Sequence, residues 1–313
     1  MKRIIAIILA LFSLPLMLSA CQQLAESVQP PKVFFCTADS CERELISMIM
    51  NATNVRCTLY DLDSPTIVNA LNQKNAMVML EKQNRNKLNN QLFNKVYDSS
   101  RYLMHNKFCI FDENAVWTGS WNPTKSLNHD NVIVVYSKYL AQNYIKKFDE
   151  LLENKQDTVL HPQLKINNNL VENYFCPEDK CSEMVKAALA KAEFSIRFMQ
   201  FSFTDDNIGT LLLEKARAGI KVEGIIEKSQ RSKWDEYNKL QNFSLLHSGR
   251  EILHHKVFII DNKTVATGSY NPTKNADLHN NENLLIVHDE RIARLYNNEF
   301  EKIKGEVLAV GSQ

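Results

Sequence analysis

The sequence has 313 residues, which is room for two ordinary domains or one large one. Hydrophobic residues make up 44% of the chain and charged residues 23%, so a disordered chain is excluded and a buried core is expected. The formal charge of +1 excludes a protein that coats nucleic acid with a broadly basic surface, while a local basic groove stays open.

The first twenty residues have the pattern of an export signal: two basic residues, an apolar run and small residues. The ending Leu18-Ser19-Ala20-Cys21 resembles the lipobox of bacterial lipoproteins, which implies that Cys21 carries lipid. The alternatives are an ordinary signal peptide cut near Ala20 and an uncleaved anchor. We therefore expect a signal peptide over 1–20, a tether over 21–32, and an exported, membrane-anchored lipoprotein of the bacterial envelope.

Helical and strand patterns alternate along the chain that follows. Helical stretches are predicted over 42–52, 138–153, 182–192 and 290–304, and apolar strands over 55–62, 77–80, 108–111 and 132–136. The polar stretch 154–169 has no periodicity and is predicted to be a linker. Buried strands that alternate with helices are typical of an α/β unit whose sheet is flanked by helices.

The same order of segments occurs twice. NVRCTLYDL from Asn54 matches SIRFMQFSF from Ser195, and MVMLEKQNR, ending at Arg85, matches EGIIEKSQR, ending at Arg231. Each half also closes with an amphipathic helical stretch. Order and spacing are kept throughout, which indicates a fused duplication. The predicted organisation is a first half over 33–155, a linker over 156–169 and a second half over 170–313.

Of the seven cysteines, four form two C-x4-C pairs at equivalent positions of the halves. These pairs are Cys36 with Cys41 and Cys176 with Cys181. Because export favours oxidation, two local disulfides are expected, and a four-thiolate zinc site is the alternative. Cys57 and Cys109 lie in apolar strands and are predicted to be buried free thiols.

One motif stands in both halves, HNKFCIFDENAVWTGSWN from His105 and HHKVFIIDNKTVATGSYN from His254. The shared positions are His105, Lys107, Asp112, Gly119, Ser120 and Asn122, and His254, Lys256, Asp261, Gly268, Ser269 and Asn271. Histidine and lysine two apart on a strand project to one face, and a glycine turn then presents a hydroxyl and an amide. Such a base among donors suits a phosphate, and two facing sets would supply a nucleophile and a general acid.

Either part of this motif alone is typical of an exposed strand or a plain turn, but both recur together at the same spacing. The histidines outside it have no repeated context and are predicted to be ordinary polar residues: His129, His161, His247, His279 and His288. His255, between His254 and Lys256, is expected on the opposite strand face in a structural role.

Both segments carry the signature H-x-K-x4-D-x6-G-S-x-N, by which the chain resembles the phospholipase D superfamily over about 33–307. The resemblance implies two similar α/β units, each a mixed sheet flanked by helices. It also implies that they pack about a pseudo-twofold axis with one active site between them. Since both halves are in one chain, activity as a monomer is expected.

The resemblance also implies roles for single residues. His105 would be the nucleophile that forms a phosphohistidine, and His254 would protonate the leaving oxygen and then activate water. Lys107, Lys256, Asn122 and Asn271 would hold the phosphate oxygens, with Ser120 and Ser269 supporting that pocket. Asp130 and Glu282 would each bind the far nitrogen of a histidine, whereas Asp112 and Asp261 would be structural. No metal or cofactor is implied, because lysines and histidines supply the positive charge.

The motif predicts the reaction better than the substrate. A lipid tether favours phospholipid, and loss of residues 1–20 would leave 35 basic and 36 acidic residues, which does not favour a surface that tracks nucleic-acid phosphates. Hydrolysis of a phospholipid phosphodiester is therefore the leading interpretation. The alternatives are a metal-independent exported endonuclease of the same superfamily and a non-catalytic surface protein that binds lipid or phosphate.

Overall fold

The structure, a computed structural model, describes residues 24–85 and 88–310, so the predicted signal peptide and Cys21 lie outside the described residues. Its strands in the first half are β2 (Lys32–Phe35), β3 (Val55–Leu59), β4 (Met77–Leu80), β5 (Lys95–Tyr97), β6 (Lys107–Phe111), β7 (Ala115–Gly119) and β8 (Asn131–Tyr136), after a short β1 (Ala25–Glu26). Those that follow are β9 (Gln163–Ile166), β10 (Asn169–Cys176), β11 (Ser195–Gln200), β12 (Lys221–Glu227), β13 (Ser244–His247), β14 (Lys256–Ile260), β15 (Thr264–Gly268) and β16 (Glu282–His288).

The helices follow the predicted pattern. They are α1 (Cys41–Asn51), α2 (Pro65–Gln73), α3 (Lys138–Glu153), α4 (Cys181–Ala190), α5 (Asp206–Arg217), α6 (Tyr237–Leu240), α7 (Lys274–Leu278) and α8 (Glu290–Val310). Serine caps begin the helices of the first half, since the Ser40, Ser64 and Ser137 hydroxyls each accept a backbone N–H of the first turn. None of the helices in the described part of the chain is long and apolar enough to cross a membrane.

The two sheets have the same topology, which confirms the predicted duplication and the α/β class. The first sheet has the order β2-β8-β7-β6-β3-β4-β5, and the second repeats it as β10-β16-β15-β14-β11-β12-β13. In each, the two strands at the far end pair in parallel with their neighbours and the rest pair antiparallel. Each half is therefore a mixed sheet, as the resemblance implied.

Apolar side chains lie on both faces of each sheet, so helices cover both faces. A central core holds the inner faces of both sheets together with α3 and α8, including the buried rings of Tyr144, Phe148, Tyr296 and Phe300. Separate clusters bury the outer faces under α1 and α2 in the first half and α4 and α5 in the second. The shared central core holds the two halves against each other, which places the β6 and β14 motifs at one interface.

The predicted linker and tether are both more structured than expected. Within the linker, β9 pairs with β10, and β1 from the predicted tether adds to β9 in parallel, so the second sheet has nine strands. The Arg291 guanidinium also donates to the Pro31 carbonyl at 2.8 Å. The sequence pattern of these strands was weak because each is short. In β9, for example, only two of the four residues are buried, and they alternate with exposed polar residues.

Three disulfides are present among the described cysteines. Cys36–Cys41 and Cys176–Cys181 are the two local pairs, each ending at the first residue of a helix. The prediction of free thiols at Cys57 and Cys109 is wrong, because these residues are disulfide-bonded to each other. They are direct partners in the antiparallel pairing of β3 with β6, with Cα atoms 4.1 Å apart. Sequence alone could not show this pairing, which depends on strand register.

Loss of the Cys57–Cys109 bond is expected to destabilise the protein more than loss of either local disulfide. The bond joins residues 52 apart in sequence, and the chain-entropy model assigns such a loop about 4 kcal/mol, against about 2 kcal/mol for the five-residue separations of the local pairs. Urea unfolding of a Cys57→Ala/Cys109→Ala variant and a Cys36→Ala/Cys41→Ala variant measures the difference. Equal losses, or free thiols at Cys57 and Cys109 in unreduced protein, would contradict this expectation.

Candidate active site

Each motif histidine is held where the two halves meet. The segment before His105 forms a parallel bridge to the second half, Met104 with Asn281, and the segment before His254 forms the equivalent bridge, His129 with Leu253. The His105 backbone N–H donates to the Asn281 carbonyl, and the His254 N–H donates to the His129 carbonyl, at 2.9 and 3.0 Å. The acidic tract of each half thus lies beside the histidine of the other half.

The histidines are consequently paired with carboxylates across the interface. His105 Nδ1 lies 2.8 Å from the Glu282 carboxylate, and His254 Nδ1 lies 2.7 Å from the Asp130 carboxylate. Both side chains are largely buried, with 11% and 12% of their surface exposed. With Nδ1 donating to a carboxylate, Nε2 carries the lone pair in the neutral ring, as a nucleophile or base requires.

The motif serines act on these carboxylates. The Ser120 hydroxyl donates to Asp130 at 2.6 Å, and the Ser269 hydroxyl donates to Glu282 at 2.5 Å. Each hydroxyl is fully buried and also accepts the backbone N–H of the next strand, from Asn131 or Asn283. Both hydroxyls thus face the carboxylates that hold the histidines, so any support that they give to the phosphate pocket passes through Asp130 and Glu282.

The two motif lysines are buried at the start of β6 and β14. The Lys107 ammonium donates to the His105 carbonyl at 2.8 Å, and the Lys256 ammonium donates to the His254 carbonyl at 2.7 Å. An aromatic ring covers each ammonium, Tyr60 at 4.8 Å and Phe201 at 5.1 Å from the ring centre. The same rings contact the histidines edge-on, so each aromatic residue fixes a histidine and a lysine together.

Burial and mutual repulsion set the charges of these groups. Burial, together with the Lys107 and Lys256 charges, lowers the pKa of His105 to about 4 against the opposing pull of Glu282. Burial lowers the pKa of Lys107 to about 7 and that of Lys256 to about 8, and Lys256 adds to the shift at Lys107. Lysine charge from one half thus acts on a histidine of the other, as expected of one shared site.

The carboxylates stay ionised in spite of their burial. Burial raises the pKa of Asp130, but the charge and hydrogen bond of His254 lower it more, with further help from Lys256 and Ser120. Glu282 behaves alike: burial raises its pKa, and His105, Lys107 and Ser269 bring it below its ordinary value. Burial lowers the pKa of His254, while Asp130 opposes that shift. Both histidines are therefore neutral at neutral pH until a substrate anion adds negative charge.

The motif glycines and aspartates shape the strands around the site. A Cβ on Gly119 would lie 2.1 Å from the Asn131 carbonyl oxygen, and one on Gly268 would lie 2.2 Å from that of Asn283. Asp112 and Asp261 adopt positive φ in the tight hairpins after β6 and β14. Their carboxylates accept backbone N–H groups at the starts of β3 and β11, which agrees with the structural role that the resemblance implies.

Asn122 and Asn271 lie just beyond those glycines, after β7 and β15. Each places a buried amide oxygen without a hydrogen-bond partner. A side-chain amide can turn to present either its oxygen or its NH2, so an unpaired buried amide costs free energy until a ligand satisfies it. The resemblance assigns both amides to a bound phosphate, one from each half.

Several residues of the site escaped the sequence analysis. Asn131 donates to Thr267 at 2.8 Å and Asn283 donates to Thr118 at 2.7 Å, which ties each half to the other beneath the histidines. Tyr60 and Phe201 were missed as well. The signal was present, since Tyr60 aligns with Phe201 and Asn131 with Asn283 in the repeat, but nothing in it showed that these residues face the site.

The remaining histidines divide into two groups. Hydrogen bonds or stacking engage His161 with Gln142, His288 with Glu172, and His279 with the Tyr102 ring. His255 is fully buried and contacts Asn131 through Nδ1 at 3.0 Å, in keeping with a structural role. The prediction that His129 and His247 are ordinary polar residues is not supported, because they cluster with buried carboxylates.

Comparison with known proteins identifies the family to which this site belongs. The sequence model described as "Cardiolipin synthase, PLD-like domain" matches residues 32–152 and 185–304, once in each half. The chain is 30% identical over 168 residues to a phospholipase D of Rickettsia prowazekii, covering 52% of this chain and 82% of that one. It is 31% identical over 134 residues to a mitochondrial cardiolipin hydrolase of Canis lupus familiaris, covering 40% and 51%.

A solved structure shows the same fold over most of the chain. The phosphatidylserine synthase of Haemophilus influenzae superposes with a TM-score of 0.63 and 12% identity, covering 88% of this chain and 86% of that one. At that identity the likeness concerns the fold alone. The family model, in contrast, matches both halves, and the two motifs that it covers meet at the paired histidines. This chain belongs to the phospholipase D superfamily.

Proposed function

We propose that this phospholipase D-type phosphodiesterase hydrolyses a membrane phospholipid through a phosphohistidine on His105. The observation that carries the reaction is the crosswise pair of histidine–carboxylate contacts beside two buried lysines. The matched relatives named phospholipase D and cardiolipin hydrolase support the substrate class. An N-terminal lipid on Cys21 would hold the enzyme at the envelope membrane, and the halves in one chain support activity as a monomer.

In the first step, His105 Nε2 attacks phosphorus and the bond from phosphorus to the headgroup oxygen breaks. His254 Nε2–H gives its proton to that oxygen, so the alcohol leaves neutral. The negative phosphate raises the proton affinity of His254 on binding, and Asp130 stabilises the imidazolium. Lys107 and Lys256, with the Asn122 and Asn271 amides, would hold the non-bridging oxygens as charge develops on them.

In the second step, neutral His254 takes a proton from water, whose oxygen attacks phosphorus and breaks the bond to His105. The phosphatidic acid leaves, and both rings return to their starting states. Glu282 holds the His105 ring in one orientation through both steps. All the charge that this reaction needs comes from side chains of the chain, which is why we expect activity without a divalent ion.

Exposed apolar side chains close in sequence to the site residues favour a lipid over a nucleic acid. Leu127 and Leu278 are 57% and 50% exposed, on the segments that lead to Asp130 and Glu282. Tyr102 and Ile252, three and two residues before the motif histidines, are also exposed. We infer that these side chains meet the acyl chains of a bound phospholipid, as expected for an enzyme that works at a membrane surface.

A comparison of substrates tests the proposal. The chain without residues 1–20, with Cys21 replaced by serine, is offered phosphatidylcholine, cardiolipin, and single- and double-stranded DNA in EDTA, with the His105→Ala variant as control. We expect release of phosphatidic acid or its cardiolipin equivalent. Cleavage of DNA alone would support the endonuclease alternative, binding without turnover would support the non-catalytic one, and activity that EDTA abolishes and one divalent ion restores would refute the metal-free reaction.

The rate should be highest on the acid side of neutral pH. Below about pH 4 His105 is protonated and cannot attack. On the alkaline side His254, whose pKa burial lowers, loses the proton that it must donate, and above about pH 7 Lys107 also loses the charge that binds the phosphate. Each loss lowers kcat/KM about tenfold per pH unit beyond the corresponding pKa. A profile of kcat/KM on a short-chain soluble phosphodiester measures both limbs. A maximum above pH 9 would contradict the low lysine pKa values.

A further inference from the structure

A second cluster of titratable groups lies outside the catalytic pair. His129 and His247 are buried, and their rings meet edge-on with centres 5.2 Å apart. Glu306 of α8 reaches the same point, with a carboxylate oxygen 3.3 Å from His129 Nε2. One ligand atom from each of the three residues lies within 4.8 Å of the others.

Two of these distances match a tetrahedral metal site. Two ligand atoms about 2.1 Å from one zinc ion at a tetrahedral angle are roughly 3.4 Å apart, and two bound imidazoles have centres roughly 5 Å apart. The His129–Glu306 contact and the His129–His247 ring separation have those values already. Two imidazoles and one carboxylate with a fourth position for water is also a ligand set that zinc uses in proteins.

Both histidines have a carboxylate on the nitrogen that a metal would not use. His247 Nδ1 lies 3.1 Å from Glu227, and His129 Nδ1 lies 3.8 Å from Glu299. Such a carboxylate fixes the ring and leaves Nε2 free to bind metal. His129 Nδ1 and Glu299 Oε1 are moreover both buried without a hydrogen-bond partner.

The other half shows that the fold does not require this cluster. The pseudo-symmetric position of His129 holds Asn281, which makes the equivalent bridge between the halves. Asp98 stands in place of His247, and Lys147 on α3 stands in place of Glu299 on α8. The two histidines and Glu299 are therefore absent from the pseudo-symmetric position, where the duplicated framework forms without them, whereas Glu227 has a counterpart in Glu81.

We propose that His129, His247 and Glu306 bind one divalent transition-metal ion, zinc by their chemistry. The ion would join the first half through His129, the second sheet through β13, and α8. The ion would add to the stability of the fold without taking part in the chemistry, so zinc-free protein should keep its turnover. This inference stands apart from the substrate proposal, since it concerns metal content and stability.

Zinc titration of EDTA-treated protein tests the site. We expect one equivalent of zinc per chain after dialysis, visible absorption of four- or five-coordinate Co(II) when cobalt replaces it, and a rise in Tm of about 5 °C at a hundredfold excess over Kd. His129→Asn, which installs the residue that the other half has, should fold and lose the bound ion. Glu306→Gln should weaken binding more than tenfold and is a second variant on an exposed side chain.

Two matched variants control for other histidines. His161→Asn changes a histidine that contacts Gln142 and Tyr139 and should keep one equivalent. His105→Asn should also keep it, which separates this site from the catalytic pair. No bound zinc in the wild-type protein, full binding in both His129→Asn and Glu306→Gln, or loss of zinc in His105→Asn alone would overturn the proposal.

Discussion

Replacing either motif histidine by alanine is expected to lower kcat/KM by about 10⁴-fold or more, because each removes a group that forms or breaks a bond at phosphorus. The two variants should nevertheless fail in different ways. His105→Ala removes the atom that attacks phosphorus, so no covalent phosphoryl-enzyme should form with any substrate. His254→Ala removes only the acid and the base.

A p-nitrophenyl phosphodiester separates the two roles. Its leaving group needs little protonation, so His254→Ala should recover much of its first step, whereas His105→Ala should recover none. Loss of the base that activates water should also let a phosphohistidine accumulate in His254→Ala, which intact-protein mass spectrometry detects. The double variant should be little worse than His105→Ala, as expected for residues that act as a unit.

Other outcomes would contradict the assignment. Phosphate trapped on His254 in the His105→Ala variant would show that His254 is the nucleophile and His105 the acid and base. Near-normal turnover of both single variants would refute the histidine mechanism. His161→Ala, with its contacts to Gln142 and Tyr139, is the control for removal of an imidazole as such.

The features predicted correctly from the sequence depend on neighbours along the chain. The duplication, the strands that carry the motifs and the bounds of α3 follow from periodicity and spacing. The structural role of Asp112 and Asp261 followed from resemblance, and the positive φ of each in a tight hairpin gives its physical reason. Features that depend on one strand and the turn after it can be predicted from the sequence because only a few neighbouring residues determine them.

The features missed depend on how distant segments pack. Which half supplies the carboxylate of each histidine is decided by the bridges Met104–Asn281 and His129–Leu253, and no local pattern encodes those. The Cys57–Cys109 bond depends on the register of β3 against β6. The resemblance implies that Ser120 and Ser269 support the phosphate pocket, but the motif does not encode the contacts of their hydroxyls with Asp130 and Glu282.

The second prediction with a large effect concerns the carboxylates of the crosswise histidine–carboxylate pairs. Asp130→Asn and Glu282→Gln keep the shape of each side chain but remove its charge, and loss of such an orienting carboxylate can cost about 10⁴-fold in kcat. Asp130 belongs to the first half yet holds His254, so Asp130→Asn should resemble His254→Ala and recover on the p-nitrophenyl substrate. Glu282→Gln should resemble His105→Ala and stay slow on every substrate.

The serines provide a graded control for this prediction. Ser120→Ala and Ser269→Ala remove one hydrogen bond to a charged group, worth about 1.5–3 kcal/mol, so each should lower the rate roughly 10- to 100-fold with the leaving-group pattern of its own carboxylate. The opposite pattern, with Glu282→Gln rescued by the good leaving group and Asp130→Asn not, would mean that each carboxylate serves the histidine of its own half. That result would refute the crosswise pairing, because the effect of Asp130 on catalysis is expected to act through its contact with His254 of the other half, and that of Glu282 through its contact with His105.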